Sequence, residues 1–237
     1  MEKLTPTHRR SVVSYVRRSP RMTPSQRVSL DTHRPQWVIE VECGDLATAV
    51  AAQPPLDLES VFGRVAPLIV EIGCGHGDAL VAGAVASPEI NFLGFEVFDA
   101  SIGATLGKIA ASGVVNVRLI AADAIGGLTH LLAEHSVGEL WVFFPDPWQK
   151  KRHHKRRLVN PGFADLACRV LAPGGVLRLA TDWPSYAEAM TEVFDPDPRF
   201  ELVSTDRFDR RPLTKFESRG INAGRSVHDF TYTVRPR

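Results

Sequence analysis

A carboxylate set between two prolines is followed, four residues on, by an unbroken run of cations. Phe143 to Arg157 reads FFPDPWQKKRHHKRR. An apolar segment stops at Asp146, and Pro145 and Pro147 restrict the backbone on either side of it. Trp148 offers a face on which a base can stack. Lys150 to Arg157 contains only Lys, Arg and His, of which arginine grips phosphate as a fork and lysine as a point charge. The stretch therefore reads as an acceptor pocket at Asp146 beside a grip for an RNA backbone, with Lys151, Arg152, His153, His154, Lys155, Arg156 and Arg157 as the contacts. His153 and His154 are adjacent, so they do not share a helix face as paired metal ligands would, and phosphate contact or simple exposure is the expected use.

A second constellation lies upstream. Glu71-Ile72-Gly73-Cys74-Gly75-His76-Gly77 ends an apolar run and enters a helical pattern. Glycines there permit positive φ and let a ligand approach the backbone. Glu96 follows at the end of the next apolar run, where an acid can take both hydroxyls of a ribose. Asp123 ends the run after that, within reach of an adenine amino group. Each acid alone could be a helix cap. Three acids and a glycine turn at consecutive strand ends point to a nucleoside cofactor. The spacing is GxGxG rather than the GxGxxG on which a pyrophosphate rests, and Glu71 directly before it would repel a pyrophosphate while suiting a cationic methionine end. S-adenosylmethionine is the expected cofactor, and the LAPGGVLRLAT turn fits methyltransferases of the Rossmann-like class.

The elements that must position these residues are short apolar runs alternating with helical periodicity. PLIVEIG, NFLGFEV, NVRLIAADA, ELWVFF and VLRLATD are predicted strands, and RFELVST and DFTYTVR the last two. Helices are predicted over Asp78 to Ser87, up to Ala111, over Phe163 to Leu171 with LAPGG as stop and turn, and up to Phe194. Such alternation implies an α/β, Rossmann-like fold with a mainly parallel seven-stranded sheet, helices on both faces and an antiparallel last strand. Right-handed crossovers put the strand C-termini, and so the acids, along one edge. Residues 1–60 show weak periodicity and read as a basic N-terminal extension and connector, partly flexible; residues 61–237 read as the methyltransferase domain.

Composition bounds the rest. The net charge of +1 hides segregation: Met1 to Arg27 holds seven Lys/Arg and one acid, whereas Val28 to Gln149 holds four Lys/Arg and fifteen acids. Basic segments flanking an acidic body suit a polyanionic partner. No apolar stretch nears the ~20 residues that cross a bilayer. Cys43, Cys74 and Cys168 show no CxxC spacing, which argues against a disulfide framework or a structural zinc site and for a cytoplasmic setting. A small-molecule methyltransferase would leave the cationic tract without a task. A methyltransferase acting on another base or on ribosomal RNA would use every feature, and a non-catalytic RNA-binding protein would leave Glu71, Glu96 and Asp123 idle.

Over most of its length the chain resembles the tRNA (guanine-N7)-methyltransferases. The resemblance rests on Ser14-Tyr15-Val16-Arg17-Arg18 with Arg21-Met22-Thr23-Pro24, on the Glu71 to Gly77 loop, on Phe143 to Trp148 with the cations after it, on Thr181-Asp182, and on Arg211-Pro212-x-Thr214-Lys215-Phe216-Glu217-x-Arg219-Gly220. It departs at Cys74, His76, Phe98 and Ile125-Gly126-Gly127. The resemblance implies cofactor contacts at Glu71, Gly73, Gly75, Gly77, Glu96, Asp123 and Asp146, and substrate contacts at Lys150, Asp182, Thr214, Lys215, Phe216 and Glu217, with Asp146 as the catalytic position. It implies a tRNA substrate methylated at a variable-loop guanine, with no metal and no membrane partner, and leaves monomer and homodimer both open.

Overall fold

The computed structural model describes Tyr15 and residues 21–46 and 48–236. Apart from Tyr15, the segment Ser14 to Arg18 that resembles the family's N-terminus lies outside these residues. Eight strands form one sheet: β1 (Val38–Ile39), β2 (Leu68–Ile72), β3 (Asn91–Phe95), β4 (Val117–Ile120), β5 (Val137–Phe143), β6 (Leu171–Thr181), β7 (Phe200–Ser204) and β8 (His228–Val234). Their order is β1-β4-β3-β2-β5-β6-β8-β7. Strands β1 to β6 run parallel, and β8 is antiparallel to both β6 and β7. The sheet has one strand more than the seven expected. The addition is β1, two residues that pair with Leu119 and Ile120, too few to show an alternating pattern. The LAPGG turn is also drawn into a strand: Leu171 pairs with Val137, the ladder resumes at Val176 opposite Glu139, and Ala172 to Gly175 bulge out between them.

Strands β2 and β3 are buried along their whole length, as expected of parallel strands covered on both sides. On one face Val70, Leu93, Leu140 and Val142 pack under α5 (Ala124–His130), α6 (Pro161–Val170) and α7 (Pro184–Phe194). On the other, Ile69, Phe92, Trp141 and Phe143 pack under α3 (Asp78–Ala86), α4 (Asp99–Ser112) and α1 (Pro24–Trp37). The short α2 (Leu58–Phe62) leads into β2, and α8 (Lys215–Asn222) lies between β7 and β8.

Helix α1 falls within the segment read as an extension, yet it is docked. Thr23 accepts from the Gln26 amide while the Gln26 side chain accepts from that of Thr23, which makes a capping box, with Pro24 in the first turn. The helix lies against α4 so closely that a Cβ on Gly103 would stand 2.4 Å from the Gln26 carbonyl oxygen. Glycine at 103 is what allows that approach.

Candidate functional site

Glu71 is the fourth residue of β2, inside the sheet, and only 4% exposed. Its Oε2 has no hydrogen-bond partner. Burial first, and then the charge of Asp78, push its carboxyl up to about 8. A buried carboxylate oxygen without a partner costs on the order of 1–3 kcal/mol, a cost that a cationic ligand at this position would relieve. After Ile72 the chain turns through Gly73 (φ 66°), Gly75 (φ 56°) and Gly77 (φ 71°), three left-handed residues in a row of five. The turn is held by Gly73 and Cys74 amides donating to the Phe95 carbonyl and by Thr105 Oγ1 donating to that of Gly75. A cavity of about 70 Å³ opens there, lined by Glu71, Gly73, Gly75, Phe144 and Thr214 among others.

Glu96 stands just past β3. Its Oε2 accepts the Gly75 amide at 2.9 Å, and its Oε1 accepts those of Val97 (2.7 Å) and Phe98 (3.0 Å). Burial raises its carboxyl against the pull of these amides, and nearby Asp146 raises it further. Asp123 follows β4 and caps α5 through the Gly126 amide, while its own amide donates to the Thr48 carbonyl at 2.7 Å. Burial raises this carboxyl too. The Thr48 hydroxyl in turn meets Tyr15 Oη at 2.5 Å, so Tyr15 reaches the Asp123 side of the site. Spacing along the chain carried no signal for that contact.

Beyond β5 the backbone takes an unusual course. Phe144 (φ 53°) and Trp148 (φ 45°) are both left-handed although neither is glycine. Such positions cost about 1–3 kcal/mol each and persist only where their surroundings hold them. Between them Asp146 is exposed, close enough to Glu96 and Tyr186 to raise the pKa of both. Cations begin at exposed Lys150 and continue into a 3₁₀ helix, Lys151–Arg156. Arg156 stacks over the Trp148 ring at 4.8 Å and His153 lies 6.0 Å from it. Partial burial and the cations Arg152, Arg156, Lys150 and Lys155 keep the His153 pKa below its ordinary value. Lys151, Arg152 and Lys155 are exposed and His154 half-buried. Arg157 differs from all of them: it is buried, 6% exposed, and faces inward. A second cavity, of about 380 Å³, lies between Asp123, Lys155, Arg156, Asn160 and Phe163.

The expected substrate residues follow β6 and surround the start of α8. Asp182 follows β6 and binds Arg225 Nε at 2.8 Å. Thr214 lines the Glu71 cavity, and its Oγ1 accepts the Glu217 amide. The side chains of Lys215 and Phe216 lie outside what the structure describes. Glu217 is 1% exposed, and both its oxygens are taken by Arg207 and Arg211. Burial pushes its pKa up, but the two arginines more than offset this and hold it low. Arg211, fully buried, also binds Asp229, and it stacks 5.0 Å from the Phe143 ring and 5.3 Å from that of Phe144. The motif Arg211 to Gly220 thus reaches the strained turn through its arginine.

Comparison with known proteins agrees with this geometry. A family model described as "Putative methyltransferase" matches residues 65–230. The chain is 49% identical over 230 residues to a tRNA (guanine-N(7)-)-methyltransferase of Cutibacterium acnes, covering 94% of this chain and 83% of that one. It belongs to the tRNA (guanine-N7)-methyltransferase family. Family members from Nocardioides sp. and Halorhodospira halophila are 44% and 41% identical, over 98% and 96% of this chain and 92% and 96% of theirs. Among solved structures, the 16S rRNA methyltransferase KamB superposes with a TM-score of 0.56 at 18% identity, over 78% of this chain and 96% of that one. A 16S rRNA (adenine(1408)-N(1))-methyltransferase of Catenulisporales acidiphilia superposes with 0.54 at 15%, over 79% and 94%. At those identities the structures speak for the fold, a Rossmann-like methyltransferase, which the family shares.

The donor set fits S-adenosylmethionine. Glu71 offers a buried carboxyl, one oxygen unpartnered, that a bound cation would draw into its ionised form, Glu96 a carboxylate beside the glycine turn for hydroxyls, and Asp123 an acceptor one strand further on. Among the described residues no helix is long and apolar enough to cross a membrane.

Proposed function

We propose that this chain transfers a methyl group from S-adenosylmethionine to N7 of a guanine in tRNA, in the variable loop, to form 7-methylguanosine. Family membership supports the reaction and the class of substrate. The observation in the structure that carries the reading is the position of Asp146: it sits on a strained turn between buried Glu96 and the cationic 3₁₀ helix, so one loop joins the donor side to a polyanion grip.

When bound, S-adenosylmethionine supplies an electrophilic sulfonium methyl, whose C–S bond breaks as a bond to N7 forms and leaves positive charge on the purine. N7 attacks with an in-ring lone pair, so no residue need remove a proton first. The protein's task is alignment and electrostatics. Glu71 would hold the cationic end of the cofactor, Gly73, Gly75 and Gly77 would let it approach the backbone, Glu96 would take the ribose, and Asp123 would meet the adenine. Asp146 faces the guanine edge and favours the charge that develops there. Asp182, sharing Arg225, and Thr214 contact the base. Lys150 to Arg156 hold the backbone phosphates. Glu217 acts from within the protein, placing Thr214 through its amide and Arg211 through its carboxylate. Residues 1–60 are read as an extension, of which α1 and β1 pack onto the 61–237 domain. A cytoplasmic location goes with a tRNA substrate and three free cysteines.

The test is transfer of labelled methyl from S-adenosylmethionine to unmodified tRNA, followed by borohydride and aniline, which cleave RNA at 7-methylguanosine. Label with cleavage in the variable loop is expected. Label without cleavage would retain an RNA methyltransferase acting on another base and overturn the N7 assignment.

A further inference from the structure

Six Lys/Arg and two histidines run from Lys150 to Arg157, and by type alone the last belongs with the rest. Its surroundings are different. The Arg157 guanidinium donates from Nε to the Pro147 carbonyl at 3.0 Å, from Nη1 to the Ser185 carbonyl at 2.8 Å, and from Nη2 to Ser185 Oγ at 2.9 Å. Its plane lies 4.8 Å from the Tyr186 ring centre, and Nη2 also meets His154 Nε2 at 3.2 Å. Four of its five N–H groups are met within the protein, on both sides of the fork.

The two ends of this link matter. Pro147 is the residue after Asp146, within the turn that Phe144 and Trp148 hold in left-handed conformations. Ser185 is the second residue of α7, directly after Asp182-Trp183-Pro184. The strand-end loops of β5 and β6, which carry Asp146 and Asp182, are therefore spanned by one planar side chain. Tyr186 completes the joint: its hydroxyl accepts the Val159 amide, just past Arg157.

We propose that Arg157 is a positioning residue that sets the Asp146 turn against the Asp182 loop, and that it makes no contact with RNA. It acts by fixing the Pro147 carbonyl, and with it the direction of the Asp146 carboxylate relative to the base held at Asp182. The proposal rests on the reading of Asp146 as the catalytic position. Lysine cannot replace arginine here: three donors at a single nitrogen cannot reach Pro147 on one side and Ser185 on the other while stacking on Tyr186.

The experiment compares wild type, Arg157→Lys, Ser185→Ala and Lys151→Ala in methyl transfer to tRNA and in tRNA binding across a salt series. Guanine N7 methylation by wild type in the same assay establishes the underlying reaction, so a failure there is distinct from a failure of the brace. In Arg157→Lys, kcat is expected to fall about 10–100-fold, as for a misplacement near 1 Å, with KM for tRNA and the salt slope unchanged. Lys151→Ala is expected to flatten that slope by roughly one counterion. Full kcat in Arg157→Lys, or a slope flattened as in Lys151→Ala, would overturn the proposal. Should Arg157→Lys fail to fold, Ser185→Ala decides: it removes one acceptor alone and is expected to lower kcat severalfold without touching the slope, and an unchanged kcat would sink the brace.

Discussion

Glu96 binds the Gly75 amide with one carboxylate oxygen and its own following amides, Val97 and Phe98, with the other. One side chain thus ties the end of β3 to the glycine turn after β2, and holds that turn open in its left-handed course before any ligand arrives.

Truncating it should loosen both. Glu96→Ala leaves three amides without their acceptor, and a loss of about 1–3 kcal/mol in urea unfolding is expected. S-adenosylmethionine affinity, read by calorimetry, should weaken at least about tenfold, since the acceptor of its hydroxyls and the shape of its loop go together.

Glu71 makes the protein's stability depend on pH in a definite sense. Its folded pKa, about 8, lies above its ordinary 4.5, so the folded state holds a proton that the unfolded state has released. This contribution is present in full below about pH 4.5 and is lost as pH climbs to 8. Melting temperature in the unliganded wild type should therefore decline over that range relative to Glu71→Gln, which carries no such titration. A bound cation favours the ionised form, so cofactor binding below pH 8 should release a proton, visible as buffer-dependent heat. A Glu71→Gln protein with the same pH profile as wild type would remove the buried carboxylate from this role.

Arg211 stands between two buried carboxylates, Glu217 and Asp229. Arg211→Met strands Asp229 and leaves Glu217 with Arg207 alone, and a loss of about 3–5 kcal/mol is expected from denaturant unfolding at pH 7. Because protonation relieves the stranded acid, the deficit against wild type should shrink as pH falls.

Asp146→Asn keeps the shape of the turn and removes its charge. Methyl transfer should drop about 100-fold or more, with cofactor and tRNA binding retained. Near-normal turnover would sink the electrostatic role given to Asp146.

Much of this site was legible because α/β order sends strand ends to one edge: Glu71, Glu96, Asp123 and Asp146 could be placed from apolar runs alone. What was missed has particular causes. Helix α5 was not among the predicted helices; it contains Gly126-Gly127, a departure from the family pattern, and a Cβ on Gly127 would stand 2.1 Å from the Phe95 ring. Helix α8 is mixed in charge and resembles a loop; its order comes from Glu217 meeting Arg207 and Arg211, partners six and ten residues away. Helix α1 did carry a local sign, the Thr23-Pro24-Ser25-Gln26 capping box, but its glycine seat on α4 belongs to another part of the chain. Arg157 is the hardest case. Its type matches its neighbours, and only its distances separate a brace from a phosphate contact.

The place of β8 has a consequence for the newborn protein. It is last in sequence among the strands but lies inside the sheet, between β6 and β7. When Thr181 leaves the ribosome, β6 has one bare edge, and β7, made next, has nothing to pair with. Some fifty residues must follow before Val234 closes the gap, a delay of roughly 3–10 seconds at 5–20 residues per second. Throughout that interval the strands that lead to Glu71, Glu96 and Asp123 are already made while the sheet beyond β6 is open, so the cavity beside Glu71 waits for Thr214 to complete its wall.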